Sequence, residues 1–276
     1  FLWILGMLLA FTWQCTEPSN EGVQSPDGNI EVNFLLTEDG KPGYMIRHKG
    51  SVAIDTSLLG FDLKDMPSLQ SNLAIVKTTR RTVDSTWKMP WGEKHMVTNH
   101  FNEMEIRLEE EKEPFRKFSL IFRAYDDGVG FRYVFPEQDH MKQARITEEN
   151  TQFNLTGDHQ TWWIPGDWDI YEHLYNTTPF TGIDAISKRN NPNLAQTYIP
   201  VNAVNTPVTM KTAEGLHLSF HEADLTDYAG MTLKVIKDRL MMQSNLVGSD
   251  RRDHKVERTV PFETPWRTIQ ISEDAA

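Results

Sequence analysis

The sequence is poor in cysteine, in clustered basic residues and in helical periodicity, and each shortage closes off a class of protein. Of 276 residues one is a cysteine, Cys15. A disulfide within the chain and a cysteine-based zinc site are therefore both excluded. Lysine and arginine number 28 against 39 aspartates and glutamates, for a formal net charge of −11. Phosphate binding needs clustered cations, and the densest runs are the pairs Arg80-Arg81 and Arg251-Arg252, too short for a nucleic-acid footprint. The acidity itself reads as a solubility feature. Only one long apolar run is present: residues 1–14, FLWILGMLLAFTWQ, carry no charge. That run has the length of a signal-peptide core and falls short of the roughly 20 residues a membrane span needs. Cys15 follows it directly and precedes the polar TEPSNEG. This arrangement fits a lipoprotein processing site, with a plain secretory leader as the alternative. Both readings predict export, to the periplasm or an outer-membrane surface, with Cys15 as the candidate lipid anchor. Residues 1–22 are set apart as a leader whose front is cut.

Catalytic signatures are also missing. The sequence has no GxGxxG, no Walker loop, no GxSxG elbow, no HExxH and no EF-hand loop, and nothing alternates strand with helix.

What the chain does have is alternation of period two. In NIEVNF, Ile30, Val32 and Phe34 share one face. Tyr44 and Ile46 resume that face after a DGKPG turn. Met104, Ile106 and Leu108 alternate with Glu103, Glu105 and Arg107, and FSLIFRAY and GFRYVF flank the Asp126-Asp127-Gly128 turn, a strong hairpin signal. Further strands are expected in TQFNL, TWWIP, NTPVTMKT, GLHLSFHEA, MTLKVI, LMMQSNL and WRTIQIS. Helix is expected at most for a turn or two within DHMKQARITEEN. Strands this numerous predict an all-β protein of two packed antiparallel sheets. No linker divides residues 23–276, so one domain is expected.

Four clusters could carry chemistry. In WKMPWGEKHMVTNHFNEMEI, His95 and His100 lie near Glu93 and Glu103, but their spacing matches no trusted ligand pattern. A buried, hydrogen-bonded loop is expected there. In YDDGVGFRYVFP the carboxylates of Asp126 and Asp127 read as structural, with Arg123 and Arg132 placed to pair or snorkel. In WWIPGDWDIYEHLY, the adjacent Trp162 and Trp163 must face opposite sides of a strand, so one of them faces a surface. Asp167, Asp169 and Glu172 make that loop rich in oxygen, which suits Ca²⁺, although one loop cannot supply roughly six to eight ligands. Finally, His221, Glu222, Asp224 and Asp227 follow a strand, as a site-facing or a solvated end. His221 and Glu222 are its candidate substrate contacts.

Six blocks occur in order: SPDGNIEVNF, MPWGEKHMVTNHFNEMEI, YDDGVGFRYVFP, WWIPGDWDIYEHLY, LHLSFHEADLTDY and TPWRTIQIS. Together they resemble the amino-terminal domain of glycoside hydrolase family 97, which includes α-glucosidases of Bacteroidetes starch-utilisation systems and related α-galactosidases. The resemblance implies a large antiparallel β-sandwich of the galactose-mutarotase-like kind, packed on a (β/α)₈ barrel. It implies that the barrel holds the catalytic carboxylates, so none is assigned to this chain. It also implies a Ca²⁺ site shared with the barrel, to which the sandwich lends one glutamate. Matched residue for residue, that ligand is Glu172.

The chain stops at TPWRTIQISEDAA, where the barrel should begin. The expectation is therefore a non-catalytic part of a secreted α-glycosidase acting on α-linked oligosaccharides, inactive by itself. The alternative is a stand-alone carbohydrate-binding surface lipoprotein. A complete enzyme drawn from Asp127, Glu172 and Glu222 ranks last, because nothing in their spacing demands a carboxylate pair.

Overall fold

The computed structural model describes residues 21–188, 199–249 and 251–275. The leader run and Cys15 lie outside them. Apolar side chains recur on every second residue, and the strands that result assemble into three sheets. One holds, in spatial order, Glu21–Gln24, Ile30–Leu36, Pro42–His48, Ser51–Leu58, Gln152–Leu155, Met241–Leu246, Met231–Ile236 and Ala203–Asn205. The larger sheet runs Asn176–Pro179, Gln160–Trp163, Val208–Lys211, His217–Ala223, Trp266–Ser272, Gly128–Phe135, Lys117–Tyr125, Met96–Glu110 and Leu73–Lys88. Phe262–Glu263 pairs onto Gly128–Phe135 at its side. A small third sheet sets Gln143–Glu149 between Val256–Thr259 and Phe61–Leu63. Neighbouring strands pair antiparallel throughout the described residues.

The two large sheets meet through aromatic rings. Phe34 and Tyr44 of the first lie 6.4 and 6.1 Å from Phe122 of the second, and Tyr44 lies 4.9 Å from Phe131. Phe153 continues the seam to Phe220 at 5.4 Å. Each ring contributes about 1.5–3 kcal/mol by leaving water, and tilted or edge-on pairs at such distances add further packing energy. Ile30, Val32, Phe34, Tyr44 and Ile46 are all fully buried, as their alternation predicts. The hairpin at Asp126-Asp127 is present, with Tyr125 paired to Gly128. A side chain at position 128 would press within 2.4 Å of the Ile269 carbonyl, which is why glycine ends that turn.

Three expectations need correction. Gln143–Glu149, within DHMKQARITEEN, is a strand, because Ala144 and Ile146 both point into the core. Leu73–Lys88 is the longest strand at 16 residues and was not among the expected ones. Its far half is exposed, so no apolar alternation marks it. The loop between it and Met96–Glu110 is not buried. It tips a projecting hairpin on which Trp87 and Trp91 are 50% and 80% exposed.

Buried charge is paired. Arg116, fully buried, donates from Nη2 and Nε to the two carboxylate oxygens of Glu110 at 2.6 and 2.8 Å, and from Nη1 to the Pro67 carbonyl. Glu103, which alternation placed outside the core, is buried too and accepts from Arg81 and Arg123. Arg123 also stacks on Phe101 and Trp266 at 4.5 and 4.3 Å.

Candidate functional site

Strand Gln160–Trp163 sends its two indoles to opposite faces. Trp163 is buried and donates from Nε1 to Thr178 Oγ1 at 3.0 Å. Trp162 lies on the outer face of the larger sheet, as expected for one of the pair. The chain leaves the strand through Ile164-Pro165-Gly166, where the Gly166 N–H donates to the Ala203 carbonyl at 2.8 Å. A Cβ at position 166 would come within 2.9 Å of Ile199 and 3.0 Å of the Ala203 carbonyl. Only glycine lets the backbone pass so close.

Residues 167–175 then form a loop anchored at its base. The buried Asp167 accepts the backbone N–H groups of Asp169 and Ile170 on Oδ1, at 2.9 and 3.3 Å. Its Oδ2 lies 3.1 Å from Nε2 of His173, which is buried as well. Asn205 bridges the same turn, accepting from the Asp167 N–H and donating to the Ile170 carbonyl. Between these anchors sits Glu172. Its carboxylate is exposed, and Oε2 accepts the Tyr171 N–H at 3.1 Å. Around it Tyr171, Leu174 and Tyr175 are 60%, 84% and 61% exposed.

The strand His217–Ala223 ends beside this loop. Partial burial raises the Tyr171 phenol above its ordinary range, and the negative charge of Glu222 adds to the rise. Hydrogen bonds join the third and fourth sequence clusters: Asn205 donates to the Ile170 carbonyl, its neighbour Thr206 to the Met231 carbonyl, and the Met231 N–H to Glu222. Their candidate residues point differently. His221 is exposed, whereas Glu222 turns inward. Its Oε1 accepts the Met231 N–H at 2.9 Å and its Oε2 accepts from Nη1 of Arg267 at 2.7 Å. Arg267 is fully buried and also holds both oxygens of the buried Glu149, from Nε at 2.8 Å and from Nη2 at 2.7 Å. Burial works against the charge on Arg267, but the carboxylates of Glu149 and Glu222 outweigh it and raise its pKa. Tyr228 donates to Glu149, and Thr151 links Glu149 to Tyr133.

The sequence reading did not identify Arg267 as the shared partner of Glu222 and Glu149, nor Asp167 and His173 as a pair. For Arg267 a signal was available. In WRTIQIS the residues 267, 269 and 271 share one register, so the arginine falls on the face of two isoleucines.

Among the described residues, no group of three or more His, Cys, Asp or Glu is placed to hold a metal ion. The chemistry of the loop nevertheless fits a calcium ligand. A hard cation takes oxygen donors, and Glu172 offers an exposed carboxylate on a turn braced from below. What fits is one ligand of a shared site, not a site complete in itself.

The profile of the glycosyl-hydrolase 97 amino-terminal domain matches residues 23–276. The chain belongs to that family. Solved structures of a glycoside hydrolase family 97 enzyme from Pseudoalteromonas sp. strain K8 are similar to it. One, a complex with panose, has a TM-score of 0.81 at 35% identity and covers 92% of this chain and 36% of that one. A complex with acarbose gives 0.80 at 34% identity. A retaining alpha-galactosidase of Bacteroides thetaiotaomicron is 24% identical over 215 residues, 76% of this chain and 29% of that protein. This family 97 domain therefore spans about a third of the length of these relatives.

Proposed function

We propose that this chain is the non-catalytic amino-terminal sandwich of an exported α-glucosidase or α-galactosidase, packing on a (β/α)₈ barrel and lending Glu172 to a calcium site shared with it. The observation that carries the reading is the presentation of Glu172. Its carboxylate stands exposed between two buried anchors, Asp167 and His173, joined at 3.1 Å. A loop of little consequence has no need of such a brace. The panose and acarbose complexes of the Pseudoalteromonas enzyme support α-linked oligosaccharides as the substrate of the whole protein. When bound, calcium would supply positive charge able to polarise a substrate oxygen. Glu172 would hold its share of that charge in place, and the exposed Tyr171 and Leu174 beside it would exclude water once a partner surface covers them. Glu222 supports the same face indirectly, by neutralising the buried Arg267. His221 stands as an exposed candidate substrate contact. Export to the periplasm or outer membrane, with Cys15 as the lipid-bearing residue, completes the reading.

The test is calcium titration of activity in the full-length enzyme with and without Glu172→Gln. That change removes one formal charge from the ligand set and keeps its size. Activity and calcium affinity should fall together, and excess calcium should recover part of the activity. The chain by itself should bind calcium at millimolar levels or worse, because water would have to complete most of the shell. An unchanged calcium dependence in Glu172→Gln, or micromolar binding by the chain alone, would show the assignment to be wrong.

A further inference from the structure

We propose that the outer face of the larger sheet carries a second, calcium-independent site that binds one hexopyranose unit of a neutral oligosaccharide, with Trp162 and Tyr175 as its stacking walls. The cross-strand register puts Trp162 opposite Thr209, Thr209 opposite Ser219, and Ser219 opposite Gln270. Residues paired in this way project from the same face. One indole thus begins a row of two hydroxyls and an amide that crosses four strands. Tyr175, from the end of the Glu172 loop, lines the same depression as Trp162. The depression between them has a volume of about 640 Å³, inside the roughly 300–1,000 Å³ usual for small-molecule sites.

The polar inventory narrows the ligand. Neither lysine nor arginine lines the depression, and Asp274 is its one acidic group, so an anion finds no lysine or arginine and a metal ion finds a single carboxylate. A purely apolar ligand would bury hydroxyls and an amide without partners, at a cost. A pyranose satisfies both halves of the lining. Its C–H face packs on an indole or phenol ring, and its ring of hydroxyls both donates and accepts. One further atom asks for such a ligand. Nδ1 of His217, which lines the same depression, is buried with no hydrogen-bond partner. Buried polar atoms are almost always satisfied, and a turn of the His217 ring about its Cβ–Cγ bond would bring this nitrogen to a sugar hydroxyl in the depression. Thr209 Oγ1 and Ser219 Oγ lie 2.9 Å apart, so each retains a lone pair for a ligand donor.

Binding of maltotriose and, separately, of melibiose by the calcium-free protein tests the site, read by saturation-transfer NMR and tryptophan fluorescence. Saturable binding is expected for at least one sugar, with Trp162→Ala and Tyr175→Ala each weakening it roughly tenfold or more while circular dichroism and melting temperature stay unchanged. Trp91→Ala, which removes the most exposed indole elsewhere, should leave binding as it was. If Trp162→Ala fails to fold, Tyr175→Ala and His217→Ala decide the matter. Absence of saturable binding, binding that survives the depression variants, or binding lost in Trp91→Ala overturns the proposal. The readout involves neither calcium nor turnover, so its failure leaves the assignment of Glu172 standing, and the reverse also holds.

Discussion

Asp167 and His173 face each other across the base of the loop that carries Glu172, with 3.1 Å between Oδ2 and Nε2, and both are buried. The contact ties the residue just past Glu172 to the turn that starts the loop. Glu172 is thereby presented on a closed turn and not on a free tether. Asp167→Ala would leave the His173 imidazole and the N–H groups of Asp169 and Ile170 without this acceptor. Charged acceptors of this kind contribute about 1.5–3 kcal/mol, so a loss of about 3 kcal/mol in urea unfolding is expected. Asp167→Asn keeps one oxygen and should lose less.

The fold was legible wherever burial was one-sided. Ile30, Val32 and Phe34, or Met104, Ile106 and Leu108, alternate because one face of each strand meets the core. The alternation fails at the distal part of Leu73–Lys88, where solvent reaches both faces and nothing selects apolar residues. It fails again at Gln143–Glu149, where polar Gln143, Arg145 and Thr147 fill the outward positions of a short strand and imitate a polar helix. The site was legible as composition but not as pairing. Aromatic and acidic residues crowd WWIPGDWDIYEHLY visibly, yet that Asp167 would bury itself against His173 depends on Asn205, 38 residues away. Glu149 and Arg267 are separated by 118 residues, and no local pattern joins them.

Arg267 neutralises two carboxylates in a dry interior, which makes its removal more damaging than its chemistry alone suggests. Arg267→Met would strand Glu149 and Glu222 together near the core, and breaking one partner of a buried ion pair costs about 3–5 kcal/mol. Adding Glu149→Gln to Arg267→Met removes one of the stranded charges. The double variant should therefore be more stable than Arg267→Met, a non-additivity that chemical denaturation measures directly.

Acid should unfold the protein through a small set of depressed carboxyls. Burial pushes Asp27 up, but hydrogen bonds from Ser25 and Asn29 outweigh it and hold its pKa at about 2, below the ordinary 3.8. At Glu103 burial again opposes, and the Arg81 and Arg123 contacts lower the pKa from 4.5. A pKa depressed by folding contributes stability that is fully present above the unfolded value and is lost as pH falls through the folded one. The melting temperature should thus hold from neutrality to the upper edge of this window and fall steeply between about pH 4 and pH 2. Asp27→Asn should lower stability at neutral pH and flatten that fall. A melting temperature equally steep in both proteins would place the acid sensitivity elsewhere.

The surface around Glu172 is apolar where a solvated loop would be polar. Tyr171 and Leu174 are 60% and 84% exposed. Contiguous apolar patches of this sort mark surfaces that a partner covers. Left uncovered, they should drive the chain to associate with itself as concentration rises. Sedimentation should therefore show a weight-average mass that grows with concentration. Leu174→Lys, at the most exposed position, should suppress that growth without altering the β-rich circular dichroism. Trp91→Ser supplies the contrast, because Trp91 is 80% exposed but sits at the tip of the hairpin. If Trp91→Ser abolishes association and Leu174→Lys does not, the sticky surface is the hairpin arm, and the face around Glu172 loses its claim to be the covered one.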